Sequence, residues 1–363
     1  MSAHILTSIR NKIGFITLDR PKALNSLSLD MIRMITATLL QWRNDENVST
    51  IFIQGSSEKA FCAGGDIRFF YDVGTTNPQG DSALLEDFFT EEYALNHLIH
   101  FYPKPYISLL NGVVMGGGMG IGQAGVACRL RIVTERTKMA MPEVNIGLFP
   151  DVGGGYFLAR TPGELGTYLG LTGDIINAAD ALYADLADVF IPTAELPALI
   201  KLLESSTATD IRLTIREFAA SFAEQATQIK SKLVSSRDTI DHHFKVSDVR
   251  LISASLADDA SEFARQTLEL MNKRSPLLMC VTLEQLRRGV KLSVAECLRM
   301  ERTMVRHCFK HGEVLEGIRA LVVDKDNAPN WSPASLAEID AELVQSFFSE
   351  VWPEYAHPLR HLN

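Results

Sequence analysis

The sequence predicts an α/β fold whose C-terminal part is mainly helical, and three observations carry that reading. Short apolar runs of strand length recur in the N-terminal half. Helix-like or glycine-rich segments separate them, and after about residue 190 the strand signals fade while helical stripes continue.

The strand-length runs are Ile13 to Leu18, Ser49 to Gln54, Tyr106 to Leu110 and Leu130 to Val133. Between the first two, Ile32, Ile35, Leu39 and Trp42 recur at steps of three and four, with Ser28 placed to cap the helix. Leu84 to His100 reads as a second helix. Further on, Ile211, Ile215, Phe218 and Phe222 form a helical stripe amid charged residues, and Ala254 to Met271 and Leu278 to Val290 read similarly. Lys325 to Pro333, with its Asp, Asn, Pro and Trp content, reads as a loop ahead of a last helix from Ser335. The expected organisation is a core over 1–190 that carries the site and a mainly helical region over 191–363 that completes the fold.

Composition excludes several function classes. With 363 residues and 46% hydrophobic content the chain has ample material for a sizeable core. A formal net charge of -9 argues against nucleic-acid binding, because a phosphate footprint needs clustered Lys and Arg. An anionic ligand must then be met locally. The five cysteines, Cys62, Cys128, Cys280, Cys297 and Cys308, show neither paired nor zinc-like spacing, which favours a reducing compartment. Met1 to Gly14 lacks the apolar stretch of a signal peptide and no run reaches membrane-spanning length, so the expectation is a cytoplasmic protein without a membrane partner.

Three segments carry chemistry: Phe61-Cys62-Ala63-Gly64-Gly65-Asp66, Met115-Gly116-Gly117-Gly118, and Met141-Pro142-Glu143 running on to Phe149-Pro150-Asp151. A glycine pair that follows a strand can present free N–H groups to an anion, and the second cluster is placed to open a helix, whose first N–H groups are unsatisfied. The three together suggest backbone donors that hold a developing oxyanion beside two carboxylates. A tight turn is the commoner meaning of each glycine cluster alone, and Glu143 alone reads as a first-turn acid. Gly153-Gly154-Gly155 lacks the Lys-Ser/Thr ending of a phosphate loop and reads as a place of close backbone packing, while His242-His243 in a charged helical region read as solvent-exposed.

The order and spacing of Asp19-Arg20-Pro21-Lys22-Ala23-Leu24-Asn25-Ser26-Leu27, Ala60-Phe61-Cys62-Ala63-Gly64-Gly65-Asp66-Ile67 and Asn111-Gly112-Val113-Val114-Met115-Gly116-Gly117-Gly118 resemble the crotonase (enoyl-CoA hydratase/isomerase) superfamily. Glu91-Glu92-Tyr93, Met141-Pro142-Glu143, Ile146 to Leu158 and Glu316 to Asp326 resemble its 3-hydroxyisobutyryl-CoA hydrolase branch. The resemblance implies a crotonase-like spiral of repeated ββα units, a CoA thioester substrate, and an oxyanion hole from the backbone N–H groups of Gly65 and Gly117. It also implies Glu92 as a substrate-site acid and no cofactor beyond the CoA that belongs to the substrate.

One departure separates reaction types. Hydratases of the superfamily carry a glutamate two residues after the third glycine of the second turn, where this chain has Gly120. The later acid is kept as Glu143, with Asp151 eight residues on. Hydration by two glutamates is thereby disfavoured, and the expectation is a hydrolase for a short 3-hydroxyacyl-CoA thioester, 3-hydroxyisobutyryl-CoA of valine breakdown being the best fit. Glu143 is expected as general base or nucleophile, and Asp151 as its proton-transfer partner that also binds the 3-hydroxyl. Glu92, Gly117, Glu143 and Asp151 are the expected substrate contacts, with no metal. Lys22 and Lys325 are candidates for the CoA phosphates. An enoyl-CoA hydratase or isomerase, and a non-catalytic acyl-CoA-binding subunit, stand as alternatives. Crotonase relatives often form trimers through C-terminal helices; homo-oligomerisation stays open here.

Overall fold

Strand β1 (Ile5–Arg10) pairs antiparallel with β2 (Ile13–Leu18) across a two-residue turn in which Asn11 and Lys12 both adopt positive φ, the geometry that lets a tight hairpin follow the strand twist. The computed structural model describes residues 4–76, 82–206, 208 and 210–363. They fall into two compact units, one of Met1–Gly65, Leu95–Ala140 and Ile175–Ser235, the other of Asp66–Ala94, Met141–Asp174 and Ser236–Asn363. Residues after 190 contribute to both.

The first unit is organised by two sheets. Beyond the hairpin, β3 (Thr50–Gly55), β5 (Tyr106–Leu110), β7 (Arg129–Val133) and β9 (Val189–Phe190) extend a six-stranded sheet in the order β1-β2-β3-β5-β7-β9, every later pair parallel. Strands β4 (Ala60–Cys62), β6 (Val113–Met115) and β8 (Lys138–Ala140) form a second, parallel sheet. The chain therefore alternates between the sheets, β3 to β4, β5 to β6, β7 to β8, and a helical segment follows each pair: α2 (Ile67–Thr76), α4 (Gly117–Gly122) and a 3-10 turn at Glu143–Ile146. This is the expected ββα repetition.

The four expected strands appear within a residue or two of their predicted bounds, because parallel strands buried on both faces read as continuous apolar runs. The helix α1 (Leu29–Arg43) buries Ile32, Ile35, Leu39 and Trp42, and the Ser28 hydroxyl accepts from Met31 N–H. One sheet face carries Ile13, Phe15, Phe52, Ile107, Leu109, Leu130 and Ile132, and it is covered by Leu199 and Leu203 of one helix and Ile211, Ile215 and Ala219 of the next.

In the second unit α3 (Ala83–His100) contributes Phe88 and Phe89, which stack with Phe70 of α2 and Phe309. Two boundaries differ from expectation. Ala254 to Met271 is two helices, Val249–Ala257 and Glu262–Met271, because Asp259 accepts from Ser261 N–H and Ser261 caps the second, local bonds that outcompete helix continuation. At the C-terminus Leu336–Glu338 is only a 3-10 turn, and the last α-helix is Ala341–Ser346, capped by Asp340. The histidine pair also splits. His242 is exposed, but His243 is buried, its ring nitrogens bonded to Ser255 Oγ at 2.7 Å and Asp259 Oδ2 at 3.0 Å, so it ties neighbouring helices together.

Candidate active site

In the first unit the two glycine turns lie side by side. Gly64 adopts a φ of +100°, and a Cβ there would sit 3.2 Å from Met115 O and 3.7 Å from Gly117 N, so this close approach of two backbones requires glycine. Leu27 N–H donates to Gly64 O at 2.8 Å and anchors the turn. The second turn opens α4 at Gly117. Its first helical bonds run from Met119 and Gly120 N–H back to Gly116 O, so the Gly117 and Gly118 N–H groups precede the ladder, as at any helix start. Gly120 is buried within α4, whose six residues, Gly-Gly-Met-Gly-Ile-Gly, include no acid.

The second unit holds the carboxylates. Glu92 comes from α3, Glu143 opens the 3-10 turn after Pro142, and Asp151 sits in the turn after Phe149-Pro150. They are 2%, 6% and 5% exposed, burial far beyond what unpaired surface acids show, and their charges act on one another. Glu91, the neighbour that competes with Glu92 in sequence, stays half-buried. Asp151 Oδ2 accepts from the buried Tyr93 hydroxyl at 2.8 Å. Glu92 Oε1 and Glu143 Oε2 are buried without a hydrogen-bond partner. An orphaned buried oxygen is costly, and such atoms are what a substrate group or water would satisfy.

Electrostatics rank the three. Burial, and then the Asp151 charge, holds the Glu92 and Glu143 carboxyls well above the ordinary range. Asp151 is pushed up by burial to about 6, offset by the Tyr93 hydroxyl and its own backbone N–H. Adjacent acids pushed apart in this way divide into a proton holder and an anion. Asp151 is the preferred anion at neutral pH, and Glu143 the preferred holder.

Two further residues of this cluster escaped the sequence reading. Tyr93 stands in the Glu91-Glu92-Tyr93 string, but nothing in that string says that its hydroxyl meets Asp151. Glu301 lies on the Val294–His311 helix, fully buried, and accepts Gly153 N–H and Gly155 N–H at 2.8 Å each. The glycine-rich turn thus wraps a carboxylate of its own chain. The legible signal was periodicity: Val294, Cys297, Leu298, Met304, Val305 and Cys308 form the buried face, and Glu301 falls on that stripe. Lys22 and Lys325 are both exposed, as candidate phosphate ligands must be.

Residues 13–348 match the enoyl-CoA hydratase/isomerase family, and the chain belongs to it. Among its relatives is the mitochondrial 3-hydroxyisobutyryl-CoA hydrolase of Danio rerio, 39% identical over 343 residues, or 94% of this chain and 88% of that protein. Two solved structures superpose with a TM-score of 0.85 at 36% identity. One is described as a carnitinyl-CoA dehydratase from Mycobacterium thermoresistibile, with 97% of this chain and 98% of that one covered; the other is an enoyl-CoA hydratase from Rhodobacter sphaeroides, with 96% and 98%. The fold expectation and the hydrolase branch are thereby borne out.

Proposed function

We infer that this protein hydrolyses a short 3-hydroxyacyl-CoA thioester, 3-hydroxyisobutyryl-CoA above others, to the free 3-hydroxy acid and CoA, the reaction named for its curated relatives. The observation within the chain that supports hydrolysis over hydration is the carboxylate set: Glu143 with Asp151 and Glu92, and Gly120 where hydratases carry their first glutamate. Valine breakdown is the pathway that this substrate suggests.

The reaction we propose starts with Glu143 protonated and Asp151 anionic. Passing that proton to Asp151 gives Glu143 the charge it needs. Glu143 then either takes a proton from water, whose oxygen attacks the thioester carbon, or attacks that carbon itself to form a mixed anhydride. In both routes the carbonyl oxygen becomes an oxyanion, assigned by resemblance to the N–H groups of Gly65 and Gly117; one such donor typically contributes about 3 kcal/mol. The C–S bond breaks, and the CoA thiolate takes the proton from Asp151. On the anhydride route water then cleaves the acyl–Glu143 bond. No oxidation state changes, so the proposal needs no redox cofactor, and no metal has a role in it. Asp151 also receives the 3-hydroxyl, and Glu92 the acyl region.

The deciding assay is thiol release across short 3-hydroxyacyl-CoA thioesters. Hydration of crotonyl-CoA without free thiol would overturn the reading in favour of a hydratase, and binding without turnover across the panel would make the chain an acyl-CoA-binding subunit. Among the described residues no helix is long and apolar enough to cross a membrane. None of the five cysteines is in a disulfide, which supports a reducing compartment; we propose the cytoplasm, while the vertebrate relatives are mitochondrial by name. A homo-oligomer through the C-terminal helices is proposed on family grounds alone.

A further inference from the structure

The turn that carries Asp151 is bent in a way its sequence does not favour. Asp151 O accepts from Gly154 N–H at 2.7 Å, and both residues between them have positive φ, Val152 at 53° and Gly153 at 88°. That is the pattern of a type I′ turn, for which Asn-Gly is the preferred pair. A β-branched valine in the left-handed region is a true outlier, a strained conformation that the surroundings must impose.

They do so with two side chains from neighbouring helices. Glu301 grips the far side of the turn through Gly153 N–H and Gly155 N–H. Gln285, on the helix Pro276–Gly289, donates through Nε2 to Pro150 O at 2.7 Å and to Glu301 Oε1 at 3.2 Å, closing a clamp over residues 150–155. A Cβ on Gly155 would lie 2.9 Å from Glu301 Oε1 and 3.0 Å from Gln285 Nε2, so the carboxylate reaches the backbone only because that position has no side chain. Glu301 is 0% exposed, and ionised it is also a third negative charge acting on Glu143, beside Asp151 and Glu92. A fully buried acid costs stability. Its two backbone bonds and its place behind Asp151 give that cost a purpose.

We propose that Glu301, supported by Gln285, is a positioning residue for hydrolysis: it forces the Asp151–Gly154 turn into its strained form and so aims the Asp151 carboxylate. This rests on the proton-transfer role of Asp151 given above. The test is a double-mutant cycle on kcat for 3-hydroxyisobutyryl-CoA hydrolysis with Glu301→Gln and Asp151→Asn. An amide at 301 cannot accept both N–H groups, and misplacement of this kind costs about 10- to 100-fold. The expected result is such a loss in kcat with KM within about twofold, shrinking to less than about threefold in the Asp151→Asn background, because a misaimed Asn cannot be misaimed further to any effect. Val152→Asn, which suits the turn by itself, is expected to restore at least about fivefold to Glu301→Gln, a rescue that a general packing role would not produce. If Glu301→Gln does not fold, Gln285→Met in the same cycle carries the test. Equal losses in both backgrounds overturn the positioning role. Wild-type kcat in Asp151→Asn alone would instead sink the proton-transfer reading of Asp151, a separate and distinguishable result.

Discussion

Tyr93 donates its hydroxyl proton to Asp151 Oδ2 at 2.8 Å, both groups buried, and that single bond separates Asp151 from the other acids of the cluster. It is the side-chain contact that lowers the Asp151 carboxyl against the upward push of burial. Tyr93→Phe removes it. A hydrogen bond to a charged group contributes about 1.5–3 kcal/mol, so the acidic limb of the kcat/KM profile should move to higher pH by about 1–2 units. The limb belongs to the coupled pair Glu143 and Asp151, and a pH–rate profile on the folded variant reads it directly. An unmoved limb would mean that this bond does not set the working charge.

Glu143→Gln is expected to lower turnover by about 1,000-fold or more while the melting temperature holds or rises, since the variant removes a buried carboxyl that resists ionisation. Thiol release beside a melting curve checks both halves. Rates like those of the unmodified protein would remove Glu143 from the chemistry.

Asp151→Asn separates two duties. If Asp151 binds the 3-hydroxyl as well as moving a proton, the loss of kcat/KM should be about tenfold larger on a 3-hydroxyacyl thioester than on the same chain without the hydroxyl. Equal losses leave it the proton-transfer role alone.

Stability should fall as pH rises across the buried acids. Glu301 is held up to about 8 from an ordinary value of 4.5, burial outweighing the Gly153 and Gly155 N–H groups. The folded protein therefore binds a proton that the unfolded chain has released. That contribution is whole below about pH 4.5 and is lost progressively up to about pH 8, on the order of a few kcal/mol. Melting curves at pH 5, 6, 7 and 8 should decline, and Glu301→Gln should flatten them; parallel curves for the two proteins would refute the assignment.

Gly117→Val tests the oxyanion assignment, which no side-chain deletion reaches. A β-branched residue at the start of α4 should cost activity steeply while the fold survives, and near-normal hydrolysis with an intact melting transition would mean that the second glycine turn is not the oxyanion hole.

The sequence by itself determined the α/β class, the four central strands, α1 with its Ser28 cap, and the family, because long apolar runs, 3.6-residue stripes and glycine motifs are local signals. Glu143, Asp151 and Glu92 were legible as candidates through motif position. Strand β1 was not, since five of its six residues are exposed and an edge strand needs no apolar run. The 3-10 turn at Leu336–Glu338 and the break at Asp258–Asp259 were missed because side-chain caps a few residues apart decide them. Only the tertiary structure decided which of Glu91 and Glu92 is buried, that Tyr93 meets Asp151, and that Glu301, 150 residues beyond Asp151, grips its turn. Those relations depend on which helix faces meet in space. The cost of burying a charge is set by the partners found there, and no window of sequence contains them.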